Sequence, residues 1–160
     1  MLPTSGQGGP ATKRGSVKHF IDPTPAEFAY FKSLPRDTPI HMLNLARYKE
    51  LAEYPVSHPQ ADSRWTGRRA YEEYGRISEP ILKRVGGKIV WRGSFEATVI
   101  GDPDQLWDDA FVAYYPNTDI FLQLVTDPDF KLAFAHRSAG ILDYRLMRFA
   151  PSELGRGFAS

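Results

Sequence analysis

The chain has 160 residues, 42% of them hydrophobic and 13% aromatic, enough for one well-filled core and short for two. Its 20 Lys and Arg nearly cancel 19 Asp and Glu, which removes the electrostatic argument for binding nucleic acid or an anionic membrane. Cysteine is absent, so disulfides, thiolate metal sites and cysteine nucleophiles are excluded, and no run approaches the roughly 20 apolar residues of a membrane span.

The opening "MLPTSGQGGPATKRG" lacks the apolar stretch of a secretory signal, so a cytoplasmic protein is expected. Residues 1 to 18 have little to bury and read as a flexible leader; residues 19 to 150 read as a single domain and 151 to 160 as a tail. "DPTPAEFAYFKSLP" predicts a short helix, with Thr24 as N-cap, Pro25 at the first helical position, Glu27 completing a capping box and Pro35 as the stop.

"PIHMLNLARYK", Pro39 to Lys49, has the apolar density of a buried strand, yet it carries His41 and Asn44 among Ile40, Met42, Leu43 and Leu45. Each polar group needs a partner, supplied by the fold or by a ligand. Glu50 to Trp65 is too polar and proline-broken to continue the strand and reads as a long connection: a lid, a dimer contact or a solvated excursion.

From Thr66, the residues Ala70, Tyr71, Tyr74, Ile77, Ile81, Leu82 and Val85 recur at helical spacing up to Gly86-Gly87, a natural left-handed cap. Pro80 inside this pattern predicts a kink or a break. "KIVWRGSFEATVIG" predicts a strand bulged at Gly93-Ser94, and "DDAFVAYYP" predicts the strand that pairs with it as a hairpin. Asn117 caps one short helix, Asp127-Pro128 starts another, and "ILDYRLMRFA" is the last strand. The order β, α, β, β, α, β with an added N-terminal helix is that of a ferredoxin-like α+β fold, an antiparallel sheet with helices on one face.

The segments "MLNLARYK", "GRRAYEEYGRISEPILKRVGGKIVWRG" and "WDDAFVAYYPNTDIFLQLVTDPDFKLAFAHRSAGILDYRLM" resemble the family called domain of unknown function 1330, within the dimeric α+β-barrel superfamily. The resemblance spans about Ile40 to Phe149 and leaves the leader, the first helix and the long loop outside it. It implies a homodimer packed sheet against sheet, with a small-molecule pocket in each protomer between sheet and helices. The superfamily includes cofactor-free monooxygenases, chlorite dismutase-like haem proteins, muconolactone isomerase-like enzymes and stress-response binding domains, so fold alone does not choose a chemistry. The residues argue for a dimer independently. Both strand faces are apolar: Ile40, Met42 and Ala46 against Leu43 and Leu45, and Phe111, Ala113 and Tyr115 against Val112 and Tyr114. A second copy is the economical cover for the face that helices leave open.

Asn44 shares a strand face with Met42 and Ala46, where an amide either orients a substrate oxygen or ties down a neighbouring strand; His41 is on the other face. His136 is expected to move a proton near neutral pH, with Arg137 beside it as a substrate-binding residue; the bland account is two cations at a helix C-terminus. The resemblance also implies that a His-Arg pair at this place is a family feature. Trp91, Arg92 and Trp107 are expected to bind substrate, with Asp109 as a second proton carrier; the alternative is core aromatics and a cross-strand Arg to Asp pair. Tyr115 joins them as a substrate-binding candidate, although such tyrosines, like Tyr71 and Tyr74, also serve as ordinary interface residues.

The histidines His19, His41, His58 and His136 form no close pair, so no metal or cofactor is expected. Phosphate-loop, dinucleotide and Ser-hydrolase motifs are missing. The expected function is cofactor-independent isomerisation, cyclisation or oxygenation of a polar or aromatic metabolite. The alternatives are a non-catalytic binding or stress-response module and, further off, a haem or metal enzyme.

Overall fold

Local signals set the first element. Thr24 accepts a hydrogen bond from the Glu27 N–H (3.2 Å), and the Glu27 carboxylate accepts one from the Thr24 N–H (2.9 Å), so two orphan donors are satisfied reciprocally. Helix α1, Pro25–Ser33, follows in the computed structural model, which describes residues 18–153 and 155–159. The leader therefore lies, apart from Lys18, outside the described residues.

Strand β1 (Ile40–Tyr48), helix α2 (Gly67–Arg84), strands β2 (Lys88–Ser94) and β3 (Asp109–Tyr115), helices α3 (Thr118–Thr126) and α4 (Pro128–Gly140) and strand β4 (Ile141–Phe149) complete the order. The four strands form one antiparallel sheet in the order β2-β3-β1-β4. This is the ferredoxin-like plan, with the added α1. Asn117, Asp127 and Gly86 bound their helices as expected, and Thr66 adds an N-cap to α2. Thr66 accepts from the Arg69 N–H, Asn117 from the Ile120 N–H, and Asp127 from the N–H groups of Asp129 and Phe130; Gly86 has φ +95°.

One local expectation is narrowed and one is corrected. Helix α2 runs through Pro80 without a break. The carbonyl that Pro80 leaves without its partner belongs to Arg76, and both residues are exposed, so water serves it. The irregularity of β2 lies between Ile89 and Trp91 rather than at Gly93-Ser94. There Val90 is the extra residue, an exposed side chain on an edge strand that tolerates an interrupted ladder.

The register sorts side chains into two faces. On the inner face, Ile89, Ala113, Met42 and Arg148 form one row across the four strands, Arg92, Phe111, Asn44 and Leu146 the next, and Ser94, Asp109, Ala46 and Tyr144 a third. On the outer face, Trp91, Val112, Leu43 and Met147 form a continuous apolar row. Helices cover the inner face. Helix α2 turns Ala70, Ser78, Ile81 and Leu82 inward, and Ile81 and Leu82 each contribute about 1.5–3 kcal/mol by leaving water.

Helices α2 and α4 meet through glycine. A Cβ on Gly67 would lie 2.3 Å from the Lys49 carbonyl oxygen and 2.5 Å from that of Gly140, so only hydrogen fits. The Glu50 to Trp65 connection is tied to this contact: the Glu53 N–H donates to the Ala139 carbonyl and the Ala52 N–H to that of Trp65. Among the described residues no helix is long and apolar enough to cross a membrane.

Candidate functional site

Between the inner sheet face and the helices lies a cavity of about 1040 Å³. Its walls are largely apolar, with Phe111 and Ala113 from the sheet, Leu82 from α2, Phe121 and Leu124 from α3, and Phe130 and Phe134 from α4. Helix α1 adds Phe28 and Phe31, and Phe31 meets Phe121 edge to face with centroids 5.1 Å apart. A volume of this size suits a ring-bearing organic molecule.

Polar groups cluster at two places in the lining. At the first, the Tyr144 hydroxyl donates to the Asn44 Oδ1 at 2.6 Å, and the Asn44 Nδ2 donates to the Met42 carbonyl at 2.9 Å. Since the Tyr144 proton is committed to Asn44, the Tyr71 hydroxyl, 3.1 Å away, donates to the Tyr144 oxygen. A directed chain thus runs from Tyr71 through Tyr144 to Asn44. Burial pushes the phenols of Tyr71, Tyr74, Tyr115 and Tyr144 up, reinforced at Tyr71 by the neighbouring Tyr144 and opposed at Tyr144 by the Arg137 guanidinium. They remain neutral hydrogen-bonding groups across the physiological range.

The second cluster surrounds Asp109. Its Oδ2 accepts from the Tyr48 hydroxyl at 2.7 Å and from Arg68 at 3.0 Å, Arg92 lies 3.7 Å away, and the Ser94 hydroxyl reaches Oδ1 at 3.3 Å. Burial pushes the Asp109 carboxyl up, but the Tyr48 hydroxyl and the two guanidiniums outweigh it and hold the group below its usual range. Tyr48 moves the other way, raised by burial and by the carboxylate it serves.

RPA0582, a protein of unknown function from Rhodopseudomonas palustris, is 43% identical to this chain, with a TM-score of 0.77, over 85% of this chain and 99% of that one. The chain belongs to the RPA0582 family. A crystal structure of methylated RPA0582 matches at 42% identity and a TM-score of 0.79, over 88% of this chain and 100% of that one. A dimeric protein of unknown function and ferredoxin-like fold from Bacteroides fragilis is 12% identical, with a TM-score of 0.45, over 70% of this chain and 95% of that one. No protein-family model matches the chain, and the comparison with curated proteins found no match.

In this RPA0582-family chain the cavity brings together five residues that sequence singled out: Asn44, Arg92, Asp109, Tyr115 and Arg137. Three others lie away from it. His136 faces the connection between β1 and α2, where its Nδ1 shares a 2.8 Å hydrogen bond with the Tyr54 hydroxyl and its ring packs against His58 and Trp65. The reason is helical geometry: Phe130, Phe134 and Arg137 share the inward stripe of α4, and His136 is turned about 100° from Arg137. Trp91 pairs with Val112 on the outer face and is 54% exposed. Trp107 precedes β3 and packs under the Arg145 guanidinium, 5.1 Å from the ring centroid.

Sequence reasoning missed Tyr144, Tyr48 and the segment Phe20–Pro23, all of which line the cavity. Tyr144 carried a readable signal, since it alternates with Leu146 and Arg148 along one strand face. The segment carried none, because its place depends on a long-range contact: the Tyr144 N–H donates to the Phe20 carbonyl at 2.7 Å. Among the described residues no three His, Asp or Glu side chains converge as a metal site would require.

Proposed function

We propose that this chain is a homodimeric small-molecule protein, of the domain of unknown function 1330 kind, whose cavity binds a ring-bearing metabolite and polarises one of its oxygens. The observation that carries the proposal is the chain Tyr71–Tyr144–Asn44 in the wall of a largely apolar cavity, with the Arg137 guanidinium 4.6 Å from the Tyr144 ring centroid. The chain fixes the Asn44 amide, whose Nδ2 keeps one N–H beyond the one given to Met42, and a neutral donor held beside a cation in a largely apolar cavity stabilises a developing enolate or other oxyanion far better than water does. This suits a cofactor-independent isomerase or cyclase reaction. Arg92 and Tyr115 hold the rest of the ligand, and Asp109, two strands away from Tyr144 in the same row, accepts the proton.

One observation favours a second reading, a non-catalytic binding module. The Asp109 carboxyl is held below its usual range by Tyr48, Arg68, Arg92 and Ser94, which weakens it as a base.

Native mass spectrometry of freshly purified protein, followed by denaturation, tests the cavity. A stoichiometric organic ligand that is lost in Ala113→Phe supports it, because Ala113 lies on the cavity floor and is 3% exposed. Retention of that ligand in Ala113→Phe overturns it. Once a turnover assay exists, Asn44→Ala should lower kcat by about a hundredfold to a thousandfold if the amide N–H stabilises an oxyanion. Full turnover would leave the binding-module reading.

The homodimer rests on the outer face, where Trp91, Met147 and Phe149 are 54%, 37% and 50% exposed around half-buried Leu43, Leu45 and Val112. Leu43→Glu places a charge in the middle of that row and should give a monomer by sedimentation; an unchanged sedimentation coefficient would sink the sheet-to-sheet dimer.

A further inference from the structure

Arg137 is the only buried cation among the described residues, and the two hydrogen-bond partners of its guanidinium, one carboxylate and one backbone carbonyl, come from one segment near the surface. Its Nη1 donates to the Asp22 Oδ1 at 3.1 Å and its Nη2 to the Ile21 carbonyl at 2.7 Å. The guanidinium lies between aromatic rings, 4.6 Å from the Tyr144 centroid and 5.0 Å from that of Phe134. The two sides of this ion pair differ. The Arg137 side chain is 8% exposed and fixed on α4, whereas the Asp22 side chain is 60% exposed and belongs to no helix or strand.

Phe20–Pro23 is docked through Phe20 and Ile21, and Ile21 packs against the cluster of Ala46, Ile141 and Tyr144, while Asp22 itself stays exposed. The Phe20 N–H donates to the Asp143 Oδ1 at 2.8 Å, the Phe20 carbonyl accepts from Tyr144, and the Arg145 guanidinium covers the Phe20 ring at 4.6 Å. Asp22 thus presents a carboxylate, from the surface, to a cation that belongs to the cavity wall. A guanidinium in apolar surroundings is costly to leave unpaired, so the empty protein needs such an occupant. A ligand carboxylate offers the same atoms in a better geometry, because the planar fork of arginine matches a carboxylate bidentately.

We propose that Arg137 is a carboxylate-binding residue of the cavity and that Asp22 is its internal, displaceable occupant, so that the ligands favoured are carboxylates on an aromatic or apolar body. The inference rests on the reading that the cavity binds small molecules. Displacement takes place without breaking α1 or the sheet, since the segment ends at the Thr24 cap. Competition by Asp22 lowers the apparent affinity for the carboxylate ligand, as any intramolecular competitor does.

Calorimetric titration of the full chain with 2-naphthoate and with uncharged 2-naphthalenemethanol tests this. The wild type should prefer the carboxylate. Asp22→Asn should bind 2-naphthoate about tenfold more tightly and the alcohol unchanged, as removal of a competitor predicts. Arg137→Gln should lose the preference, and Arg137→Lys, which keeps the charge without the fork, should retain part of it. If the alcohol binds, Ala113→Phe blocks it, and no variant changes the ratio of the two probes, the carboxylate site is overturned and the cavity stands. Weaker binding of 2-naphthoate by Asp22→Asn also overturns it. If neither probe binds, the cavity reading falls and this inference with it.

Discussion

The α2–α4 pair carries an aromatic cluster on each of two sides, and the two are built on opposite terms. Facing the sheet, Tyr71, Tyr74, Tyr144 and Arg137 line a cavity, with phenols that burial holds neutral. Facing the β1–α2 connection, His136 is packed by Tyr54, His58 and Trp65, and burial there lowers the pKa of a group that titrates near neutrality. The lesson is that a titratable residue type does not locate a site. The cavity is the side with room for a molecule, and its buried phenols stay neutral between about pH 6 and pH 8. The histidine side is filled by its own residues.

Both clusters are lost if the two helices separate. Gly67→Ala drives a Cβ into the backbone of Lys49 and Gly140, neither of which can yield as a flexible side chain would. Overpacking of this kind costs about 1–3 kcal/mol, and contact with backbone places it at or beyond the upper end. Denaturant unfolding should show the loss. A substitution tolerated within about 0.5 kcal/mol would mean that the helices have slack, and that neither cluster depends on their close approach.

A smaller change separates the two sides. Tyr144→Phe removes the hydroxyl that serves Asn44 and receives Tyr71, leaving two buried polar groups short of a partner at about 1–3 kcal/mol. Combining it with Asn44→Leu in a double-mutant cycle should give a coupling of about 1 kcal/mol or more, while combining it with His136→Gln should be additive within about 0.5 kcal/mol. Coupling of Tyr144 to His136 instead would mean that the clusters act as one unit.

Much of this was legible. The caps at Thr24 and Asn117 and the helix start at Asp127-Pro128 are local chemistry, and each is found in its expected place. The strand alternation that separates Asn44 from His41 is likewise local, and the ladder puts them on opposite faces. The question raised by a buried Asn44 is answered by Tyr144, 100 residues away, and no single-sequence pattern announces a partner at that distance. His136 shows a different failure. Its chemistry drew attention, whereas the stripe Phe130, Phe134, Arg137 already assigned the inward face of α4 to its neighbour. Asp22 precedes the Thr24 cap, where local signals describe the start of a helix and say nothing of a contact with a residue 115 positions later.

The smallest expected effect is a pH dependence confined to the histidine side. Burial, and then the neighbouring His58, lower the pKa of His136 below the ordinary 6.5, with Glu73 opposing and Arg76 assisting. The unfolded chain takes up the proton at about pH 6.5 while the folded chain still resists it, so unfolding binds protons in this window and acid favours it. The stabilisation is therefore complete above about pH 6.5 and is lost as the pH falls toward the lowered folded value. His136 is partly exposed, so solvent screens the effect, and a shift on the order of 1–2 °C in melting temperature is expected. Melting of the wild type between about pH 7.5 and pH 5 should fall slightly more steeply than that of His136→Gln, the carboxylates common to both contributing equally. Binding of 2-naphthalenemethanol should stay flat over about pH 6 to 8, because the probe is uncharged and the cavity phenols and Asp109 keep their charge states there. A binding curve that followed the His136 transition would join the two sides, and the imidazole would then belong to the cavity's function after all.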